Sequence, residues 1–281
     1  MEIVERELTA PWTGFLAEPA PGATAGVLVL AGSSGRVETE RCRLLAAHGL
    51  RALSVRWFGG PGQPPGICEI PLETFTAAVD LLAEAGTRRI GVLGVSKGAE
   101  AALLLSVVEP RLDAVIAVSP TSVAWANVGP GPDGVTEPYR SSWTWKGEPV
   151  PYVTYDASLW PEPAEPVAFA GLYGGSREGY AEAAIRVEEA RARLLLVAGG
   201  DDRMWPSLRF ARELAARRPA VVITHPDAGH RPRFPGEPPA PASPAYAYGG
   251  TPEADAALGA RAWPHLLALL GVSAGRLRAD Q

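Results

Sequence analysis

Five residues, Gly94-Val95-Ser96-Lys97-Gly98, put a serine between two glycines, directly after an apolar run and directly before a helical one. Strand, sharp turn and helix in that order make a nucleophile elbow, in which the serine hydroxyl stands clear of the backbone for attack on an acyl carbon. The glycines have a mechanical reason. So tight a turn leaves little room for side chains two residues to either side of the serine. A serine hydroxyl is a weak nucleophile at neutral pH, so it needs a base that is itself oriented by an acid.

The base must be one of four histidines. His48 precedes Gly49 at a helix end and reads as a capping residue. His265 falls inside the last helix and reads as packed core, while His225 ends a strand. His230 follows Asp227-Ala228-Gly229 in the loop beyond that strand and is the expected base. In such a fold the acid lies between nucleophile and base along the chain. Val197-Ala198-Gly199-Gly200-Asp201-Asp202 supplies two aspartates just past another strand. Asp202 is preferred over Asp201, because one more residue beyond the strand end lets its carboxylate reach over the turn; Asp201 would instead cap the helix entering at Pro206.

Two backbone amides should face the developing oxyanion. One is that of Lys97, at the start of the nucleophile helix. The other comes from Ala31-Gly32-Ser33-Ser34-Gly35, with Ser33 preferred and Ser34 next. Glu100 and the Lys97 side chain read as structural, since an acid in the first turn of a helix is stabilised by the helix dipole.

These residues need a scaffold, and the pattern around them supplies one. Apolar runs at 27–30, 52–55, 90–95, 112–118, 194–198 and 220–224 alternate with helical periodicity at 38–48, 72–82, 99–108, 180–190 and from Pro206, and a last helix runs from about 252 to 270. That alternation predicts a mostly parallel central sheet with helices on both faces, the α/β-hydrolase fold once the elbow is included. Residues 1–25 are expected to form an edge segment of one or two antiparallel strands, and residues 26–281 the catalytic domain. The alternation pauses over 119–166, a stretch rich in Pro, Gly and Trp, which is expected to be an ordered lid held by its aromatics.

Composition narrows the partners. A formal charge of −5, with 47% apolar and 20% charged residues, describes a globular chain without the basic footprint of a nucleic-acid or anionic-membrane binder. The expected partner is a small molecule, with no nucleic acid and no membrane. Neither a signal peptide nor an apolar span is visible, so the expected location is cytoplasmic. Two cysteines, Cys42 and Cys68, lack metal-ligand spacing and read as structural; no metal or other cofactor is called for. Only Lys97 and Lys146 among 26 basic residues are lysine, as expected of a GC-rich bacterial gene.

Beyond the elbow, a set of local motifs resembles the C-terminal catalytic domain of the acyl-CoA thioesterases and bile acid-CoA:amino acid N-acyltransferases. It comprises Ser96-Lys97-Gly98-Ala99-Glu100, Gly60-Pro61 followed by Glu69-Ile70-Pro71-Leu72-Glu73, residues 122–128, Lys146-Gly147-Glu148, Asp201-Asp202 with Trp205, and Gly229-His230, spread over 26–271. Two features depart from the family. Its mammalian-type members carry an N-terminal β-sandwich domain where residues 1–25 stand here, and the amino-acid transferases are expected to use cysteine where this chain has Ser96. The resemblance implies thioester hydrolysis through an acyl-serine, with Trp125, Trp143 and Trp145 lining an acyl or aryl pocket and Arg203, Arg231 and Arg233 near CoA phosphates. Three rival readings stand beside it: a carboxylesterase or lactone hydrolase similar to dienelactone hydrolases, an N-acyltransferase, and a non-catalytic receptor on the same scaffold.

Overall fold

A computed structural model describes residues 2–272 apart from 138, 163, 164, 176 and 177. Positions 138, 163 and 164 of the expected lid, and the end of the expected catalytic domain from 273 on, lie outside the described residues. The first elements are β1 (Ile3–Leu8), β2 (Gly14–Pro19), β3 (Ala25–Leu30), α1 (Thr39–Ala47), β4 (Arg51–Val55), β5 (Ile70–Pro71) and α2 (Glu73–Glu84). The centre holds β6 (Arg89–Val95), α3 (Lys97–Val108), β7 (Leu112–Val118), β8 (Trp143–Trp145) and β9 (Glu148–Pro149). β10 (Arg193–Gly199), α4 (Ser207–Arg217), β11 (Ala220–His225) and α5 (Pro252–Leu269) follow.

Eight strands form the main sheet in the order β1-β2-β4-β3-β6-β7-β10-β11. β1 and β2 pair antiparallel at one edge, β2 meets β4 antiparallel, and every pairing from β4 to β11 is parallel. Successive side chains on a strand point to opposite faces, and β3 shows the result. Val27 and Val29 belong to one core cluster, with Leu45 of α1 and Leu258 and Leu266 of α5, whereas Leu28 and Leu30 belong to the cluster on the other face, with Phe75 of α2, Leu103 of α3 and Leu214 of α4. Both faces of the sheet's central strands are therefore dry, which is why those strands read as continuous apolar runs. Each fully buried Leu or Val contributes roughly 1.5–3 kcal/mol relative to exposure. This is the mostly parallel, doubly covered sheet of the α/β-hydrolase fold.

Two sequence expectations are corrected. Residues 180–190 have strong helix formers, yet only Val187–Glu189 makes a short 3-10 turn there. Ala184 bridges Val123, and the Ile185 amide donates to Ser122 O, so pairing with a neighbouring segment overrides local propensity. His265 is not packed core. The buried stripe of α5 runs through Leu258, Ala262, Trp263, Leu266 and Leu267, and His265 falls on the exposed side of it. His48 does sit at the end of α1, its Nδ1 2.8 Å from Leu44 O. Cys42 and Cys68 are buried free thiols.

Residues 119–166 are woven into the body of the protein. β8 pairs with β5 and β9 in a small second sheet, and Trp143 is fully buried against Trp57 and Phe75 of the main core.

A buried pair ties the loop after β11 to α1. Arg41 Nε lies 2.6 Å from Glu237 Oε1, with both side chains 6% exposed. Burial alone would raise the Glu237 carboxyl, but the Arg41 charge and hydrogen bond, with Arg233 beside them, hold it below the usual carboxylate range. A depressed carboxyl stabilises the fold above its unfolded pKa, and that contribution disappears as pH falls through the folded value. The stability difference between wild type and Glu237→Gln, read by urea unfolding, is therefore expected to be full near neutrality and to narrow from about pH 5 to pH 3. A difference that stays constant across that range would contradict this account.

Candidate active site

Ser96 occupies the turn between β6 and α3 with φ 56° and ψ −123°. A positive φ at a non-glycine residue costs on the order of 1–3 kcal/mol and persists only where its surroundings hold it. Here they do. The Ser96 amide donates to Val118 O at 3.0 Å, and its carbonyl accepts from the Ala99 and Glu100 amides at 2.8 and 3.1 Å. The neighbouring glycines are obligatory for space: a Cβ on Gly94 would lie 2.0 Å from Gly98 O, and one on Gly98 would lie 2.3 Å from Ala31 O. Ser96 itself is half-buried.

The loop after β3 reaches the same point. A Cβ on Gly32 would stand 3.2 Å from Ser96 Cβ and 3.7 Å from its Oγ, so this backbone runs against the serine. A turn closed by the Gly35 amide on Gly32 O at 2.9 Å carries the exposed Ser33 and Ser34. The Lys97 amide belongs to the first turn of α3, where helix N–H groups have no intrahelical acceptor.

His230 and Asp202 meet past the ends of β11 and β10. His230 Nδ1 lies 3.0 Å from Asp202 Oδ1 and 2.9 Å from Oδ2, with both side chains buried. Asp202 Oδ1 also accepts the Met204 and Trp205 amides at 3.0 and 3.3 Å, which fixes the carboxylate. With Nδ1 held by the carboxylate, Nε2 is the ring nitrogen free to exchange a proton. The backbone of His230 is pinned as well: its amide donates to Tyr248 O at 2.9 Å, and Ser119 Oγ donates to its carbonyl at 2.9 Å. Ser119 follows Val118, the acceptor of the Ser96 amide, so one residue of chain links the serine's anchor to that of the histidine.

Sequence reasoning passed over Ser119, which has φ 49° and whose carbonyl accepts from Trp205 Nε1 at 3.0 Å. Its signal was a polar residue at the end of the strand beside the elbow. Tyr248 was also missed. Its ring is stacked 6.1 Å from that of His230, and the Trp205 ring meets the same imidazole edge-on at 5.9 Å.

The remaining candidates separate. Lys97 Nζ and Glu100 Oε2 form a buried ion pair at 2.8 Å, and Glu100 Oε1 accepts from the Trp125 amide at 3.0 Å and from Trp143 Nε1 at 2.7 Å. Burial pushes the Lys97 ammonium below its usual range, against the pull of Glu100. Trp143 is therefore a fully buried support of the nucleophile helix and offers no wall to a pocket. Trp145 is half-buried with Lys146 Nζ 5.7 Å from its ring, and Arg203 points outward to Asp201. Trp125 borders a cavity of about 390 Å3 with Tyr155, Tyr173 and Arg209. Tyr173 packs on Trp205, which places this cavity two rings from His230. Arg231 lines a different cavity, of about 620 Å3, beside the histidine. Among the described residues no group of three or more His, Cys, Asp or Glu side chains is placed to hold a metal ion, and no helix is long and apolar enough to cross a membrane.

Asp201 turns away from His230 and accepts the Gly250 amide at 2.9 Å, with Arg203 on its other oxygen. The Gly250 bond, joined by Arg203, holds its carboxyl below the usual range despite some desolvation. The carboxylate is 40% exposed, so Asp201→Asn is expected to cost only about 1 kcal/mol in urea unfolding. Turnover should stay within about threefold of wild type, as expected for a surface bond outside the reacting groups. A loss of several orders of magnitude would instead give Asp201 the role of the acid.

Residues 168–273 match the family described as BAAT / Acyl-CoA thioester hydrolase C terminal. Human acyl-coenzyme A thioesterase 1 is 26% identical over 223 residues, covering 75% of this chain and 50% of its own length. Human acyl-coenzyme A thioesterase 6 is 26% identical over 270 residues, covering 88% of this chain and 60% of its own length. The chain thus spans about half the length of the curated relatives it matches. Among solved structures, one assigned as a dienelactone hydrolase from Klebsiella pneumoniae superposes with a TM-score of 0.58 at 16% identity, over 96% of this chain and 99% of the other. A puromycin-hydrolyzing peptidase of Mycobacterium tuberculosis gives 0.56 at 17% identity, over 96% and 40%. These superpositions bear on the fold alone. The resemblance read from the elbow and its surrounding motifs is met by direct sequence similarity to acyl-CoA thioesterases.

Proposed function

We propose, taking the α/β-hydrolase fold and the likeness to acyl-CoA thioesterases as premises, that this chain is a serine hydrolase that cleaves an acyl thioester through an acyl-serine intermediate. The observation that carries the reading is the buried Asp202–His230 pair, anchored through Ser119 to the strand end that also holds the strained Ser96. In this reading His230 Nε2 takes the proton from Ser96 Oγ as the oxygen attacks the thioester carbon. The oxyanion that forms is met by the Lys97 amide and an amide of the 32–35 turn, Ser33 by preference. The tetrahedral adduct collapses by breaking the carbon–sulfur bond, and the imidazolium returns its proton to the leaving thiolate. Water then attacks the acyl-serine with His230 as base, and the carboxylic acid leaves as Ser96 recovers its proton. Asp202 stays ionised throughout, holding the Nδ1–H tautomer and the charge of the imidazolium.

Two measurements test this. A fluorophosphonate should label wild-type protein on Ser96; an unlabelled wild type would favour a binding protein without catalysis. Initial rates on acyl-CoAs and p-nitrophenyl esters of matched acyl groups then read the substrate class. A preference for simple esters by orders of magnitude in kcat/KM would replace thioester hydrolysis with ester or lactone hydrolysis. Amide product formed with glycine or taurine would replace it with acyl transfer.

A further inference from the structure

Asp202 holds only one nitrogen of the His230 ring. The second torsion of a histidine side chain is broad, and proton exchange at Nε2 tolerates little tilt, since a misplacement of about 1 Å can cost about a hundredfold in rate. Two neighbouring rings supply the remaining constraint. Trp205 meets the imidazole edge-on at 5.9 Å and is itself fixed, its amide on Asp202 and its indole N–H on Ser119 O. Tyr248 lies within 19° of the imidazole plane, with 6.1 Å between the ring centroids.

Trp205 stands directly before α4, whereas Tyr248 belongs to the 231–250 loop, which forms no helix and a single isolated bridge, from Tyr246 to Val167. Its ring therefore needs a hold of its own. The backbone is tied on both sides: Tyr248 O accepts the His230 amide at 2.9 Å, and the Gly250 amide donates to Asp201 at 2.9 Å. The ring is covered by Arg231, whose guanidinium carbon lies 3.8 Å from its centroid and whose Nη2 donates to Pro241 O at 2.7 Å. That placement leaves Arg231 Nε a buried donor without a hydrogen-bond partner among the described residues. The unmatched N–H destabilises the fold, and the attraction of a cation for an aromatic face offsets part of that loss. The carboxylate of Asp255 is turned to the Gly229 amide at 2.7 Å, and that of Glu237 to Arg41 at 2.6 Å. Tyr248 is thus the group that Arg231 serves.

We infer that Tyr248, clamped by Arg231, is a positioning residue for His230, its flat ring keeping Nε2 aimed at Ser96. The inference rests on the reading of Ser96 and His230 as nucleophile and base, and is independent of the acyl carrier. Rates are measured on p-nitrophenyl acetate, which offers Arg231 no charge to bind. Tyr248→Leu fills space without a flat face and is expected to lower kcat by about tenfold to a hundredfold with KM within about threefold of wild type. Tyr248→Phe should restore kcat to within about threefold. Arg231→Met should lower kcat by about two- to fivefold, and should add nothing in the Tyr248→Leu background, because it acts through the ring. In parallel, the Nδ1 proton resonance of His230, identified by its loss in His230→Gln, is followed in Ser96→Ala protein. It should be sharp there and broadened once Tyr248→Leu is added. Wild-type kcat in Tyr248→Leu, a Tyr248→Phe as slow as Tyr248→Leu, or an unchanged resonance would overturn the assignment. An Arg231→Met loss undiminished in the Tyr248→Leu background would overturn the clamp. Should Tyr248→Leu not fold, wild-type kcat and an unchanged resonance in Arg231→Met overturn the inference instead. If Ser96→Ala cleaves the ester as fast as wild type, the serine reading falls, while the resonance still tests the hold of Tyr248 on the imidazole.

Discussion

Ser96→Ala is expected to lower turnover by about six orders of magnitude, the scale on which a triad serine protease loses kcat when its nucleophile is removed. What remains would come from substrate binding and the oxyanion donors, which the substitution leaves in place. Asp202→Asn should cost about 10^4-fold, because a neutral amide can neither fix the tautomer nor balance the imidazolium. The His230→Ala loss should approach that of Ser96→Ala, and the double variant should be no slower than either single one, since the two groups act in one step. Release of thiol from an acyl-CoA, followed with a chromogenic disulfide, reads all four. A Ser96→Ala protein with wild-type turnover would end the serine mechanism, whatever the other variants do.

The second large effect concerns stability. Glu100 is fully buried and serves Lys97, the Trp125 amide and the Trp143 indole at once. Glu100→Gln keeps an acceptor for the two N–H groups but leaves the Lys97 ammonium in a dry site without its counter-charge. Breaking a buried pair from one side costs about 3–5 kcal/mol. Lys97→Met combined with Glu100→Gln removes the orphaned charge, so that double variant is expected to be more stable than Glu100→Gln alone, and the losses are expected to depart from additivity by about 0.5–3 kcal/mol over the cycle. Urea midpoints of the four proteins give the cycle. Additive losses would mean that the pair contributes nothing as a pair.

Much of the candidate site was legible because the chemistry proposed for it is tied to places a sequence marks. The central parallel strands, buried on both faces, read as apolar runs, the half-buried edge strand β11 is apolar as well, and Ser96, Asp202 and His230 follow the ends of β6, β10 and β11. Spacing favoured Asp202 over Asp201; Asp202 meets His230, and Asp201 meets the Gly250 amide. Glu100 was read only as an acid suited to a helix start. Nothing local marks it as the partner of an indole 43 positions away. The same limit explains Trp143, which the family resemblance placed in a pocket wall, and residues 180–190, where alanines and glutamates favour a helix until the 122–124 segment lies alongside them. Ser119 acts through its place beside the elbow, which only the strand order reveals.

The 119–166 stretch has a consequence for anyone reshaping this protein. Although it interrupts the repeating strand-and-helix pattern, it donates Trp143 to the main core and both N–H groups that Glu100 receives. Trimming it, or exchanging it for a loop borrowed from another hydrolase, would excise part of the foundation under Ser96. Graftable positions have few buried contacts, and on that criterion the exposed 132–137 tip is the place to splice, with the tryptophans left where they are.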